Sequence, residues 1–232
     1  MAIIQESDLR RGNRTPVLVR PMAPADIPQV EEIEREAFPT TWPPTSFKRE
    51  LQNRLARYLV VCLGPQEEPP LAGPVVPPPE KRAPGLLQRL WPFRRQDPVA
   101  PGPSAPRPLV AGFEGTWFMA DEAHIVSIAV REASRRQGLG ELLLIAAIEL
   151  AMERGSREVT LEVRVSNQAA QALYEKYGFR RAGVRKGYYS DNREDALIMT
   201  TDPLDSPSSR GSFQRLKAAY RDRWGEAVCR LS

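Results

Sequence analysis

Hydrophobic and polar positions repeat along this chain with two periods, and the switches between them divide it into elements. "VLVR" at 17–20 has the two-residue repeat of a strand. "ADIPQVEEIEREAF" follows with Ile27, Val30, Ile33 and Phe38 near one helical stripe, and "SFKRELQN" predicts a second, short helix. "YLVVCL" and "LVAGFEGTWFM" read as hairpin strands with a long connection. "AHIVSIAV" predicts a strand, "GLGELLLIAAIELAMER" a long helix stopped at Gly155, and "EVTLEVRV" another strand. Asn167 is placed to cap a helix over "NQAAQALYEKYG", and Gly178 to end it in a left-handed residue. "GVRKGYYSD" and "EDALIMTT" close the series as an expected antiparallel pair. A strand, helix, strand, helix order in the middle implies parallel pairing there. The expected class is α/β (α+β): a mixed central sheet with parallel middle strands flanked by helices.

From Gly64 to Pro108 the chain holds 14 of its 23 prolines. Runs such as "VVPPPEKRAPG" leave too few periodic apolar residues to form a core, so a flexible insert is expected between the hairpin strands. After Pro203, "LDSPSSRGS" has a linker composition, and "FQRLKAAYRDRWGEAVCRL" has apolar residues at helical spacing below a basic face. Such a helix suits either a cover for the domain's own surface or a nucleic-acid or ribosome contact through Arg210, Arg215, Lys217, Arg221 and Arg223. The expected organisation is a flexible N-terminus over 1–16, one domain over 17–202 interrupted by the insert at 64–108, and a linker with a basic C-terminal helix over 203–232.

Composition narrows the chemistry. No apolar run approaches the roughly 18 residues a membrane span needs, and "MAIIQESDLRRGNR" lacks the apolar core and cleavage site of a secretory leader. A cytoplasmic protein without a membrane partner is expected. Cys62 and Cys229 stand far apart with no CxxC partner, which suits ordinary thiols in a reducing compartment. His124 is the only histidine, which disfavours zinc sites built on His pairs and nucleophiles activated by Ser-His or Cys-His pairing; no metal is expected. A net charge of +4 and a pI near 9.3 permit an anionic ligand without specifying one.

Arg135, Gly138 and Gly140 spell R-x-x-G-x-G between a strand and a leucine-rich helix. Glycines let backbone approach a ligand closely, and the unpaired first N–H groups of a helix attract phosphate, with Arg135 and Arg136 adding charge. No Lys-Ser or Lys-Thr follows, so this is not a Walker loop. Leu143 stands where a dinucleotide fingerprint has its third glycine. By itself the loop admits both a phosphate cradle and a tight turn. In "VTLEVRVSN", Val159, Leu161, Val163 and Val165 form one face, so Glu162 projects from the other. A carboxylate in mid-strand is costly unless a base such as Arg164 pairs with it or a reaction uses it.

These segments together, with "LEVRVSNQAAQALYEKYGF" and "GYYSDNREDALIM", resemble the GNAT acetyl-CoA-dependent N-acetyltransferases. The likeness is strongest to the RimI type, which acetylates the N-terminal alanine of a small-subunit ribosomal protein. It spans nearly all of 17–202 but neither the insert nor the tail. It implies that Ile128, Ala129 and Val130 pair with the pantetheine arm of the coenzyme. It also implies that Arg135, Arg136, Gln137, Gly138, Leu139, Gly140 and Glu141 form the diphosphate cradle, and that Asn167 touches the coenzyme as well as capping its helix. Glu162 is then the base and Tyr174 the acid. The acceptor, a peptide amino terminus, is expected between the first helices and the final hairpin, near Tyr188, Tyr189, Asp191, Glu194 and Asp195. Two other readings remain open at this point: acetylation of a small amine or a lysine side chain, and a non-catalytic ribosome or RNA adaptor.

Overall fold

The computed structural model describes residues 16–38, 44–64 and 108–231. The expected flexible N-terminus over 1–16 and the insert over 64–108 lie outside them, apart from Pro16, Gly64 and Pro108. One sheet organises the rest. Its strands are β1 (Val17–Pro21), β2 (Ala56–Leu63), β3 (Leu109–Met119), β4 (Glu122–Val130), β5 (Glu158–Arg164), β6 (Phe179–Arg185), β7 (Ala196–Thr201) and β8 (Val228–Cys229), in the spatial order β6-β7-β5-β4-β3-β2-β1-β8. The pairs β4–β5 and β1–β8 are parallel, and the others are antiparallel. The mixed sheet with a parallel middle pair is therefore present.

Helices cover both faces. α1 (Ile27–Ala37) and the single turn α2 (Phe47–Glu50) close one face over Val30, Ile33, Phe47, Tyr58 and Phe113. α3 (Leu139–Glu153) and α4 (Gln168–Lys176) lie on the other. α3 is buried nearly all round, from Leu142 through Ala151. A helix apolar on every side needs a second cover besides the sheet, and α5 (Pro207–Trp224) supplies it. Phe213 and Tyr220 of α5 are buried in the same core cluster, and Lys217 pairs with Glu149 of α3.

Three elements differ from the sequence reading. The linker expected over "LDSPSSRGS" (204–212) is shorter than its composition implies, because α5 begins at Pro207, with Ser206 capping it through the Ser209 N–H. A proline in the first helical position following a serine cap favours that start. β8, absent from the sequence reading, adds a parallel edge to β1, with the Arg230 N–H donating to the Val19 carbonyl. The strand expected over "GVRKGYYSD" lies earlier, at Phe179–Arg185, and Gly187 (φ +58) and Arg193 (φ +60) turn the intervening segment into a loop.

One irregularity shapes the middle of the sheet. Thr116 pairs with Ile125 but Gly115 with Ser127, leaving Val126 as an extra residue in β4. Such a bulge bends its strand. β4 and β5 pair only from Glu122↔Glu158 to Ile125↔Leu161, and beyond that point β5 pairs with β7 alone. The sheet opens into a wedge between the outer halves of β4 and β5.

Candidate active site

The wedge leads into a groove of about 960 Å³ bordered by α1, α2, β3, β4, β5, α4 and the β6–β7 loop. Of the residues singled out from the sequence, Ile128, Glu162, Asn167, Tyr174, Tyr188, Tyr189 and Asp191 line it. Glu194 and Asp195 do not. Glu194 accepts from Arg164 and from the Ser166 N–H, and Asp195 from Lys186 and the Gly187 N–H, so both carboxylates shape the β6–β7 loop. These contacts hold the Glu194 carboxyl down near 2 and the Asp195 carboxyl below its ordinary value. Arg164 serves this loop too, bonding Asp191 at 2.8 Å and lying over the Tyr189 ring at 3.8 Å. It is not the partner of Glu162.

Glu162 projects from the polar face of β5, and its side chain is 7% exposed. Its Oε2 lies 3.0 Å from His124 Nε2, and its Oε1 lies 3.0 Å from Arg185 Nε. His124 comes from the paired half of β4, where it stands opposite Thr160. Its Nδ1 is 2.7 Å from Thr160 Oγ1, whose hydroxyl donates to Glu122. The Thr160 hydrogen goes to Glu122, so Nδ1 must donate to Thr160, while the Glu162 carboxylate requires a donor at Nε2. Donors at both ring nitrogens make the imidazolium the form this network favours: the His124 pKa is raised, chiefly by the hydrogen bond to Glu162, and the same bond lowers Glu162.

Tyr174 reaches the groove from α4 and packs against Phe179, ring centroids 5.7 Å apart. Burial pushes its phenol up to about 12, so it keeps its proton at neutral pH. Asn167 caps α4 through the Ala170 N–H at 3.2 Å, as its position in the sequence implies. Glu34 and Trp117 also line the groove; Glu34 accepts from the Thr45 N–H, and the Trp117 indole donates to Glu50. The sequence reading missed His124, Arg185, Glu34 and Trp117. For His124 a signal was present: in "EAHIVSIAV", two-residue alternation sets it on the same face as Glu122.

The glycine loop adjoins the groove without lining it. Arg136 (φ +63) and Gly138 (φ +79) are left-handed, and Gly138 is the N-cap of α3 with no side-chain cap. Among the described residues, no acceptor receives the backbone N–H groups of Arg136, Gln137, Gly138, Leu139, Gly140 and Glu141. Alternating hand of this kind aims consecutive N–H groups into a concavity suited to an anion. The Glu141 carboxylate is taken up by Tyr177 and Lys176, and Arg135 Nε donates to the Val130 carbonyl. The loop's offer to an anion is therefore largely its backbone. Ala129 and Val130 run from the wedge to this loop, and the edge of β4 facing β5 there lacks a strand partner. A diphosphate with an extended amide-bearing arm fits this pair of features.

The side of Gly138 where a side chain would stand is filled from within. A Cβ there would lie 2.7 Å from ring atoms of Trp224. Close approach of a ligand on that side, one reason the sequence offered for a glycine, is not what requires it. At Gly140 a Cβ would meet only Val130, at 3.7 Å.

On the tail, Arg210, Arg215, Arg221 and Arg223 are exposed and Lys217 is engaged with Glu149. Among the described residues no helix is long and apolar enough to cross a membrane.

Comparison with known proteins gives a consistent result. The family described as Acetyltransferase (GNAT) family matches residues 80–179. A Bacillus subtilis protein, provisionally named a [ribosomal protein bS18]-alanine N-acetyltransferase, is 37% identical over 187 residues, covering 80% of this chain and 95% of that protein. The [ribosomal protein bS18]-alanine N-acetyltransferase of Escherichia coli K12 is 48% identical over 92 residues, 39% of this chain and 62% of its own length. The crystal structure of the ribosomal-protein-S18-alanine N-acetyltransferase from Escherichia coli superposes with a TM-score of 0.57 at 28% identity, covering 82% of this chain and 95% of the other.

Proposed function

Since the chain belongs to the GNAT acetyltransferase family and is an N-acetyltransferase, we propose that it transfers the acetyl group of acetyl-CoA to the α-amino group of a protein N-terminus, a ribosomal protein beginning with alanine. The relatives that carry that activity in their names support the acceptor class. One observation carries the chemistry: the Glu162 carboxylate stands in the groove where the β4–β5 wedge opens, held by His124 and Arg185.

Bound acetyl-CoA would supply an activated acyl carbon and a sulfur leaving group. Arg136 through Glu141 would hold its diphosphate, and the free edge of Ile128–Val130 its pantetheine arm. Glu162 takes the acceptor's proton, directly or through one water. An α-amino group, with a pKa of about 7.7–8.0, yields that proton far more readily than a lysine at about 10.4. A backbone N–H around Val130 donates to the acyl oxygen as it gains charge. Tyr174, protonated at neutral pH, donates to the departing sulfur.

His124 sets the strength of the base. As imidazolium it holds Glu162 ionised and weakly basic. When it loses its Nδ1 proton, Thr160 turns its hydroxyl from Glu122 to Nδ1, the positive charge disappears, and Glu162 becomes the stronger base. Glu122, 36% exposed, connects this chain to solvent.

The experiment is mass spectrometry after incubation with acetyl-CoA and three acceptors: an alanine-starting peptide, the same peptide with a blocked amino terminus and an internal lysine, and a polyamine. Acetylation of the free amino terminus alone is expected. Modification of the blocked peptide or the polyamine at a comparable rate would overturn the acceptor assignment.

A further inference from the structure

The C-terminal segment carries an arrangement that the acetyl-transfer reading does not use. Trp224, the last residue of α5, lays its indole against Gly138, filling the place of the side chain that residue lacks. The tail reaches the loop's other flank as well. Phe213 packs edge-on against Tyr177, centroids 6.4 Å apart, and the Tyr177 hydroxyl donates to Glu141 at 2.7 Å. Between these ends Tyr220 is buried and Lys217 is paired with Glu149. Beyond Trp224 the chain is pinned by β8 against β1. The indole is thus delivered to Gly138 by contacts that owe nothing to a ligand.

The loop needs such support. Arg135, Arg136 and Gln137 are exposed, and the left-handed Arg136 stores strain that its own side chain does nothing to offset. Left alone, residues 135–138 would sample many backbone conformations, and ordering them at each binding event would weaken affinity. An aromatic ring seated on the one residue without a side chain selects the conformation whose N–H groups point outward.

We infer that α5 and β8 act as a strap in which Trp224 is a positioning residue, pre-setting the glycine loop for the coenzyme's diphosphate and so raising coenzyme affinity without entering the chemistry. The inference rests on the assignment of the loop as the diphosphate cradle. Trp224 Nε1–H has no acceptor among the described residues, so packing holds the indole and phenylalanine should replace it.

The test compares the full chain with Trp224→Ala and Trp224→Phe by calorimetry with CoA and by steady-state kinetics. For Trp224→Ala, the Kd for CoA and the KM for acetyl-CoA should rise about tenfold, within the usual range of coupling between sites, with kcat within about twofold. Trp224→Phe should stay within about twofold of the parent. Parental affinity in Trp224→Ala, or tighter binding, would overturn the strap. By reciprocity, CoA should also slow hydrogen exchange across 207–229 in the unaltered chain. That measurement decides the matter if Trp224→Ala fails to fold; exchange unchanged by bound CoA counts against the strap. Failure of the unaltered chain to bind CoA at all would instead remove the cradle assignment, and the strap with it.

Discussion

His124 and Glu162, on adjacent parallel strands, meet Nε2 to Oε2 at 3.0 Å, while Nδ1 of the same ring lies 3.6 Å from Glu122, so the only histidine of the chain stands between two carboxylates. Replacing Glu162 by glutamine keeps the shape and removes the base. Turnover should fall by about a hundredfold or more while the Kd for CoA stays within about twofold, as loss of a general base predicts. Unaltered turnover near neutral pH would take Glu162 out of the mechanism.

The same pair fixes the sign of the pH dependence. A raised His124 pKa keeps the imidazolium charged above the ordinary value of 6.5, and a lowered Glu162 pKa keeps the carboxylate ionised throughout. Activity should therefore climb as His124 loses its proton on the alkaline side of 6.5. In His124→Gln the rising limb of kcat/KM should follow the acceptor amine alone, at about 7.7–8.0. Thr160→Val, which deprives Nδ1–H of its acceptor, should shift the histidine limb to lower pH. Profiles identical to the parent in both variants would exclude His124 from tuning the base.

Gly138 is both left-handed and in contact with Trp224. Alanine there meets a backbone penalty of roughly 1–2 kcal/mol and a collision with the ring. Gly138→Ala should lower the unfolding temperature by several degrees. In a Trp224→Ala background the drop should be smaller, because only the backbone penalty remains. Equal drops in the two backgrounds would mean that the contact is not felt.

Glu114 is buried on β3, with Thr116 bonding one oxygen and the other, Oε1, lacking a partner among the described residues. Burial raises its carboxyl to about 8, so the folded chain holds this proton where the unfolded chain would release it. Stability from this group is full below about 4.5 and declines as pH rises toward 8, by on the order of 3 kcal/mol at pH 7. Glu114→Gln cannot ionise. Its unfolding temperature, relative to the parent, should improve steadily from pH 5 to pH 8, and a difference that stays flat would refute the raised value.

How much of this was legible depended on whether a feature was local. Glu162 stood out because two-residue alternation assigns it a face, and Asn167 because a cap is read from its neighbours. The Val126 bulge left no mark, since it arises from pairing between strands distant in sequence. As a lone histidine in sequence, His124 speaks only against metal and nucleophile chemistry, and its partnership with Glu162 exists only once β4 and β5 lie side by side. The tail was half legible. Its helix could be read, yet its place on α3 was encoded in α3 itself, whose outer side is too apolar to face water.

Leu63 and Leu109 are register partners at one end of the β2–β3 hairpin, while Tyr58 and Trp117 line the groove toward the other. At about 3.3 Å per residue, that junction lies roughly 17 Å along the strand from Tyr58. Closing a longer connection there adds only a logarithmic entropy term. The hairpin is thus anchored by its strand pairing, and a change in the length of its connection reaches Tyr58 and Trp117 only through that ladder, five residues away from the groove.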